Sequence, residues 1–527
     1  MYHLKLLNKI KNNISTSCSV LLIILFFYIL FFYCNIVYSG YHITDDHEIY
    51  YFSSIINKNN FIELFNRFIS FDGRFRPVYW AHRISLFYFF KTNFFLYYFE
   101  YFILSITTAL MIFFISKKFL PAFTSLLITA FTLFSCEYHI FLGLGYGELL
   151  SCTLLTISVF FIIFPVKNHK FLKNTLFFIF FILTIYSKET FLIAGPFILL
   201  IKFFYENRNK IEKQNKKNNI IYLLSLFSFV ILGIILNIQY DNNSNNYTVI
   251  LNIEEIKTSF IDIIYSVKYL SFEYIILIIF SIIGFFLIIN KEKKWQYINY
   301  ILTGILLLFS QLLFLSLFSK DNTFQIRYFF PAYFSGTIIL ITIFYFIKKQ
   351  IFKIFFYIFL VISTLYNMQA YSLKDIIHSS NSNILFNKTL ANTREILSKE
   401  DNILLIGDAV FNMEYFESLV RNYNYYGFKK VYLLPLINRQ INELNNFEKN
   451  LYNFFPQNYK NYLYQELKTT PELIIVFLSE NKEQYKTESG INFAEYKKLQ
   501  IENHTTEFYL KRDKINQNKS NLFNITR

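Results

Sequence analysis

SCSVLLIILFFYILFFYCNIVY, residues 17–38, contains no charged side chain. A helix needs about 20 consecutive apolar residues to cross the hydrocarbon core of a bilayer, and this run supplies them in one piece. Working outward, stretches of the same kind recur near 94–116, 119–136, 149–166, 172–187, 190–206, 220–238, 272–290, 297–318, 328–347 and 351–370. The chain therefore reads as an α-helical polytopic membrane protein with about eleven transmembrane helices. Composition agrees. Hydrophobic residues make up 54% of the 527 and charged residues 17%, against about 25% charged in a soluble domain. Phe and Tyr are abundant together with Ile, Asn and Lys, a pattern of coding bias from which no function is read.

The net charge of +15 raises the question of a nucleic-acid partner, and its distribution answers it. With the N-terminus in the cytoplasm, the cytoplasmic segments hold Lys5, Lys9 and Lys11; Lys117 and Lys118; Lys167, Lys170 and Lys173; the basic run 202–217; Lys291, Lys293 and Lys294; and Lys348, Lys349 and Lys353. The alternate loops hold Asp45, Asp46, Glu48, Glu137, Glu148, Asp241, Glu254 and Glu255. That alternation is the positive-inside signature of membrane topology, and it accounts for the basic excess without nucleic acid. The first apolar run has a long core and no small-residue cleavage site, so it reads as a retained signal anchor. Cys18, Cys34, Cys136 and Cys152 form no CxxC pair and suggest neither a disulfide framework nor a zinc site.

An odd number of crossings leaves everything after residue 370 outside the cytoplasm. Two domains follow: a membrane domain over 1–370, and an extracytoplasmic α/β domain over 371–527. In the second, the runs Asn402–Ile406, Lys430–Leu434 and Leu473–Leu478 read as strands with helical stretches between them. The Asn- and Lys-rich tail, 513–527, reads as disordered. Gly407-Asp408 at the end of the first strand resembles the edge of a nucleotide fold, and it is too little to assign a cofactor.

The loop between the first two spans, about 39–93, is long. It opens with His42-Ile43-Thr44-Asp45-Asp46-His47-Glu48. Phe61, Leu64, Phe65 and Phe68 then share one helical face, as in a helix lying along the membrane surface. Asp72-Gly73-Arg74-Phe75-Arg76-Pro77-Val78-Tyr79-Trp80 follows, then His82 and Arg83. A carboxylate here can accept the proton of an attacking hydroxyl, and the arginines can hold a phosphate bidentately. By residue type alone, the same segment reads more readily as a solvated acidic loop beside arginines at lipid headgroups.

Asp45-Asp46 close to the first helix end, Gly73-Arg74-Phe75-Arg76-Pro77, and Ser187-Lys188-Glu189 at the external end of a later span resemble membrane glycosyltransferases of the GT-C fold. Arg327-Tyr328 opening a late helix, with Pro331 after it, fits the same pattern. The pattern is similar to the branch with protein O-mannosyltransferases and the bacterial aminoarabinose and oligosaccharide-modifying transferases (glycosyltransferase family 39-like), and the resemblance covers about 1–370. The resemblance implies an inverting transferase that moves a sugar from a polyprenyl-phosphate donor to a glycan, lipid or protein acceptor on the extracytoplasmic side. It implies a catalytic base at Asp45 or Asp46. The family has Asp-Glu where this chain has Asp-Asp, with Glu48 two residues on, and Asp45 is favoured as the first acid of the pair. Arg74, Arg76, Lys188 and Arg327 are the candidate donor-phosphate ligands, because a lipid phosphate leaving as an anion needs positive charge as its bond breaks. Lys188 has a simpler reading, as partner of Glu189. His47, Glu48, Glu148 and Glu189 are candidate substrate contacts.

The resembling branch works without metal, so no cofactor is expected, although His42, His47 and His82 beside the carboxylates are ligand types for a divalent ion. The expected partners are the lipid-linked sugar, the acceptor and the bilayer. Two other classes fit a polytopic chain: a transporter or flippase, and a lipid-linked glycan polymerase. Transporters show internal repeats and helices broken near the midplane; no repeat is evident here. A polymerase places its main external loop late, whereas this chain places it early.

Overall fold

The computed structural model describes residues 2–42, 46–56, 60–71, 75–134, 147–164, 170–206, 213–241, 278–279, 281–283, 286, 294–318, 330–347, 350–370, 373–408, 413–436, 469–477, 486–487, 489–499 and 506–517. Buried backbone N–H and C=O groups must be paired, and a helix pairs them within a single apolar run. The protein is mostly helical, with one small sheet. In chain order the helices are α1 (Tyr2–Tyr28), α2 (His47–Ile55), α3 (Phe61–Phe71), α4 (Pro77–Phe90), α5 (Phe94–Lys117), α6 (Ala122–Phe134), α7 (Glu148–Ile163), α8 (Lys170–Ile185), α9 (Glu189–Leu192), α10 (Ala194–Glu206), α11 (Lys213–Asp241), α12 (Lys294–Phe318), α13 (Phe330–Phe346), α14 (Gln350–Ala370) and α15 (Leu373–Ile396). The stretch near 272–290 lies largely outside the described residues; each of the other apolar stretches is mainly helical over its described residues.

Two helical segments among the described residues are long and apolar enough to cross a membrane: Asn13–Tyr38, which runs α1 on through a π turn and a 3-10 turn, and Phe94–Lys117. Shorter apolar helices of 10–17 residues include Ala122–Phe134, Glu148–Ile163, Phe171–Ile185, Ile220–Leu236 and Gln350–Tyr366. Large apolar side chains stand exposed on α1 (Leu21, Leu25), α11 (Leu224, Ile231) and α14 (Ile351, Phe355). Apolar surface on this scale marks contact with a membrane or a partner. Between helices, small hydroxyl residues bond across the interfaces: Thr108 to Thr153 at 2.8 Å, and Thr124 to the Tyr357 hydroxyl at 2.8 Å. These are contacts suited to a setting where hydrophobicity alone does not drive helices together.

The stripe Phe61, Leu64, Phe65 and Phe68 does form a helix, α3. Leu64 and Phe68 turn into the protein, however, with Phe68 edge-on to Phe52 of α2 at 4.3 Å and stacked on Trp80 of α4 at 5.1 Å. Leu64 and Phe68 are core for the loop helices α2, α3 and α4, while Phe61 stays exposed.

Beyond α15 the chain forms β1 (Ile403–Asp408), α16 (Met413–Tyr425), β2 (Val431–Leu436), β3 (Leu473–Phe477), β4 (Tyr496–Leu499), β5 (Thr506–Lys511) and α17 (Arg512–Gln517). The sheet order is β2-β1-β3-β5-β4. The first three strands are parallel, and β5 and β4 extend them antiparallel. Ile403, Leu405, Leu473 and Ile475 face one apolar cluster, and Leu404, Ile406, Ile474 and Val476 face another. Burial of both faces is why the central strands read as unbroken apolar runs. The expectation of disorder from residue 513 fails for 513–517, which are helical and anchored by Lys514 on Asp401 at 2.7 Å; residues 518–527 lie outside the described set. Tyr41 and Tyr50, from the first loop, complete this domain's core.

Candidate functional site

Asp46 opens α2. Its carbonyl accepts the Ile49 amide at 3.0 Å. Its side chain is fully buried, and Oδ2 accepts the His42 amide at 2.9 Å. The carboxylate is thereby tied to the backbone at His42. A buried charge is costly unless hydrogen-bonded and faced by opposite charge. Tyr97 and Tyr98, at the start of α5, lie within electrostatic reach of Asp46, and Tyr97 is also within reach of Arg83.

Pro77 suits the first turn of α4, where its missing N–H is not needed. Arg76, Tyr79 and Arg83 fall on one face of the helix at i, i+3 and i+7. Arg83 is 2% exposed. Its guanidinium carbon lies 5.2 Å from the Phe87 ring centre and 5.9 Å from that of Tyr97. Burial works against its charge, and Tyr79 and Glu48 more than restore it, so it titrates above the usual arginine range. Arg76 lies 5.1 Å over the Tyr79 ring, with Nε 3.8 Å from Glu189 Oε2.

The start of α4 docks on the turn between α8 and α9. Val78 N–H donates to the Tyr186 carbonyl at 3.2 Å, and Phe75 meets the Tyr186 ring edge-on at 5.8 Å. Lys188 is extended (φ −157°, ψ 144°) and separates the two helices. Successive side chains diverge in extended backbone, and here the two neighbours take different partners: Glu189 faces Arg76, and the Lys188 ammonium donates to Glu148 at the head of α7. Both members of the Lys188–Glu148 pair are buried. Gly147 precedes Glu148 for want of room, because a Cβ there would lie 2.6 Å from Cδ2 of Tyr79. Tyr101 lies within electrostatic reach of both Arg83 and Glu148, and His82 stands 3.2 Å from Glu100.

The structure therefore brings six of the sequence-derived residues to one end of the bundle: Asp46, Glu48, Arg76, Glu148, Lys188 and Glu189. Asp45, Arg74 and Arg327 lie outside the described residues, as does the His47 side chain, although His47 starts α2. Lys188 does not take the simpler partner, Glu189. Among the described residues, no three His, Cys, Asp or Glu side chains are grouped to hold a metal. The sequence singled out neither Tyr79 nor Glu100, and it named Arg83 and His82 without their partners here, Glu48 and Glu100. The signal for Tyr79 and Arg83 was present, as Arg76-x-x-Tyr79-x-x-x-Arg83 at helical spacing behind a proline.

Chemically, the site sets carboxylates able to take a proton beside buried cations able to hold an anion. The cations Lys188 and Arg76 face the carboxylates Glu148 and Glu189, and breaking such a buried pair leaves a charge uncompensated. No family model matches the chain, and no curated protein matches it.

Proposed function

We propose that the chain is an inverting glycosyltransferase of the membrane, drawing on a polyprenyl-phosphate sugar and acting at the end of the bundle that carries Asp46. In this reading the chain crosses the bilayer about eleven times, with its N-terminus in the cytoplasm and its C-terminal domain outside. The observation that carries the proposal is the convergence of Asp46, Arg76, Arg83, Glu148, Lys188 and Glu189 at one end of the helices. The Lys117–Lys118 turn lies at the other end of α5. An ionisable cluster at the membrane edge is costly to keep without a use.

The acceptor hydroxyl attacks the anomeric carbon. The bond from that carbon to the phosphate oxygen breaks, its electron pair leaves with the lipid phosphate, and the hydroxyl proton passes to a carboxylate of the Asp45-Asp46 pair. Attack opposite the leaving group inverts the anomeric centre. Arg76 and Lys188 meet the negative charge that grows on the phosphate. Glycan, lipid and protein hydroxyls all fit as acceptors.

The test uses the detergent-purified protein with a panel of polyprenyl-phosphate sugars, with and without candidate acceptors, and measures release of free polyprenyl phosphate by mass spectrometry. The wild type releases it, and Asp45→Asn or Asp46→Asn lowers the rate by about 10²–10⁴-fold while remaining folded. Release retained by both variants removes these carboxylates from the reaction and favours transport.

A further inference from the structure

We propose that Asn387 of α15 is a positioning residue for the Asp46 carboxylate, which makes the C-terminal domain part of the reacting unit. The inference rests on the transferase reading above.

The carboxamide of Asn387 grips the chain just ahead of the carboxylate. Its Nδ2 donates to the carbonyls of Ser39 at 2.9 Å and Tyr41 at 2.8 Å, and its Oδ1 accepts the Tyr41 amide at 3.3 Å. Gly40 lies between these bonds with φ +72°, and a Cβ there would fall 2.9 Å from the same Nδ2. The close approach and the left-handed backbone both call for glycine. From the other side, the Tyr98 hydroxyl donates to the Gly40 carbonyl at 3.1 Å. The next residue is His42, whose amide is the donor to Asp46 Oδ2 and whose ring meets Nδ2 of Asn383, one turn back along α15, at 2.7 Å. The path runs from Asn387 through Ser39–Tyr41 to His42 N–H and then to the carboxylate.

The residues after Asp46 are held as well. α2 begins next to Asp46 and packs on α16, where Arg421 lies 4.7 Å over the Tyr51 ring and Tyr50 meets Tyr425 at 5.3 Å. Tyr41 hydrogen-bonds Ser418 of α16. Asp46 therefore lies between two stretches, 39–42 and α2, that are both fastened to the C-terminal domain. A carboxylate acting as a base needs its geometry fixed closely, and a displacement of about 1 Å can cost about a hundredfold in rate.

The experiment compares the full-length wild type with Asn387→Ala, with Asn387→Asp (same size, but lacking the donor to two carbonyls) and with Lys514→Ala, which cuts an ion pair elsewhere in the domain. Two quantities are measured: amide hydrogen exchange across 39–56 and across β1–β5, and the kinetics of polyprenyl-phosphate release. Both Asn387 variants raise exchange at 39–56 and leave β1–β5 protected. They lower kcat by about tenfold to a hundredfold with KM for the lipid-linked donor within about twofold, and Lys514→Ala does neither. Unchanged exchange at 39–56 overturns the grip. Raised exchange with unchanged kcat, or a change in KM alone, overturns the positioning role. A wild type that releases nothing from any donor defeats the transferase reading and with it the catalytic role, while exchange still decides whether Asn387 holds this stretch.

Discussion

Lys188 and Lys202 are both buried, and they are buried differently. Lys202 in α10 finds its anion one turn ahead on its own helix, with Nζ 2.6 Å from Glu206, and takes Asn174 of α8 at 3.2 Å. The Phe177 ring lies 4.6 Å from it. Lys188 finds its anion, Glu148, on another helix whose first residue is set by the fit of Gly147 against Tyr79. Glu148 is also within reach of Tyr101, which reaches Arg83 in turn. A local i,i+4 pair forms as soon as its helix does and closes the site around itself. A long-range pair exists only once several elements are assembled, and its members remain close to other ionic partners. The first arrangement neutralises a charge, and the second leaves a charge able to change partners.

The widest separation between the two lysines is expected in turnover. Lys188→Met removes a cation aimed at the site and should lower the rate of polyprenyl-phosphate release by about 10²–10³-fold. It also leaves Glu148 buried without its lysine, which should destabilise the fold by about 3–5 kcal/mol. The double variant Lys188→Met/Glu148→Gln removes that buried charge: stability should return and turnover should not. Lys202→Met should leave release within about threefold of wild type, with its cost confined to stability. Equal losses of turnover at both positions would erase the distinction.

A smaller effect should come from Gly147→Ala. Its φ of −76° is ordinary for any residue, so the penalty is one of space alone. Overpacking of this kind costs about 1–3 kcal/mol, and Tyr79 moves away carrying the Arg76 contact with it. Release should fall about tenfold, with part of the loss regained in Gly147→Ala/Tyr79→Phe only if the ring hydroxyl, and not the ring, is what resists. Because the contact is with ring carbons, no such recovery is expected.

What was legible in the sequence divides along the same line between local and long-range. Apolar runs fix helices from within, so α5, α7, α12 and α14 lie within a few residues of their expected places. The parallel strands were equally plain, since Ile403–Ile406 and Leu473–Phe477 are apolar at every position. β4 and β5 were missed: Tyr496–Leu499 is a short strand with lysines at its centre, and Thr506–Lys511 carries a glutamate whose burial depends on lysines elsewhere in the sequence. Individual site residues could be named from motif and sidedness, yet their pairings could not. Nothing in Ser187-Lys188-Glu189 says that its two charged neighbours part to Glu148 and Arg76. Asn387 carries no signal of its own in an Asn-rich chain, and its contacts appear only when α15 is laid against Gly40.

Glu507 on β5 provides a third buried charge, away from the bundle, where pH can be used as the probe. Its residue is 5% exposed. Burial pushes its carboxyl up, but the hydrogen bonds from Lys498 and Tyr509 and the charge of Lys486, 3.3 Å away, outweigh that and bring it down to about 2 from an ordinary 4.5. A carboxyl lowered by folding adds stability that is fully present above its unfolded value and is lost as pH falls through its folded one. Protection of β3–β5 against hydrogen exchange, corrected for the intrinsic pH dependence of exchange, should therefore weaken as pH drops from about 4.5 towards about 2. Glu507→Gln should lower that protection by about 1–3 kcal/mol at neutral pH and flatten its acid dependence. Turnover at neutral pH should stay near wild type, because Glu507 is held by Lys498 of β4, Tyr509 of β5 and Lys486. Loss of turnover without loss of protection would mean that the C-terminal domain reaches the reaction by a second route, through its sheet as well as through α15.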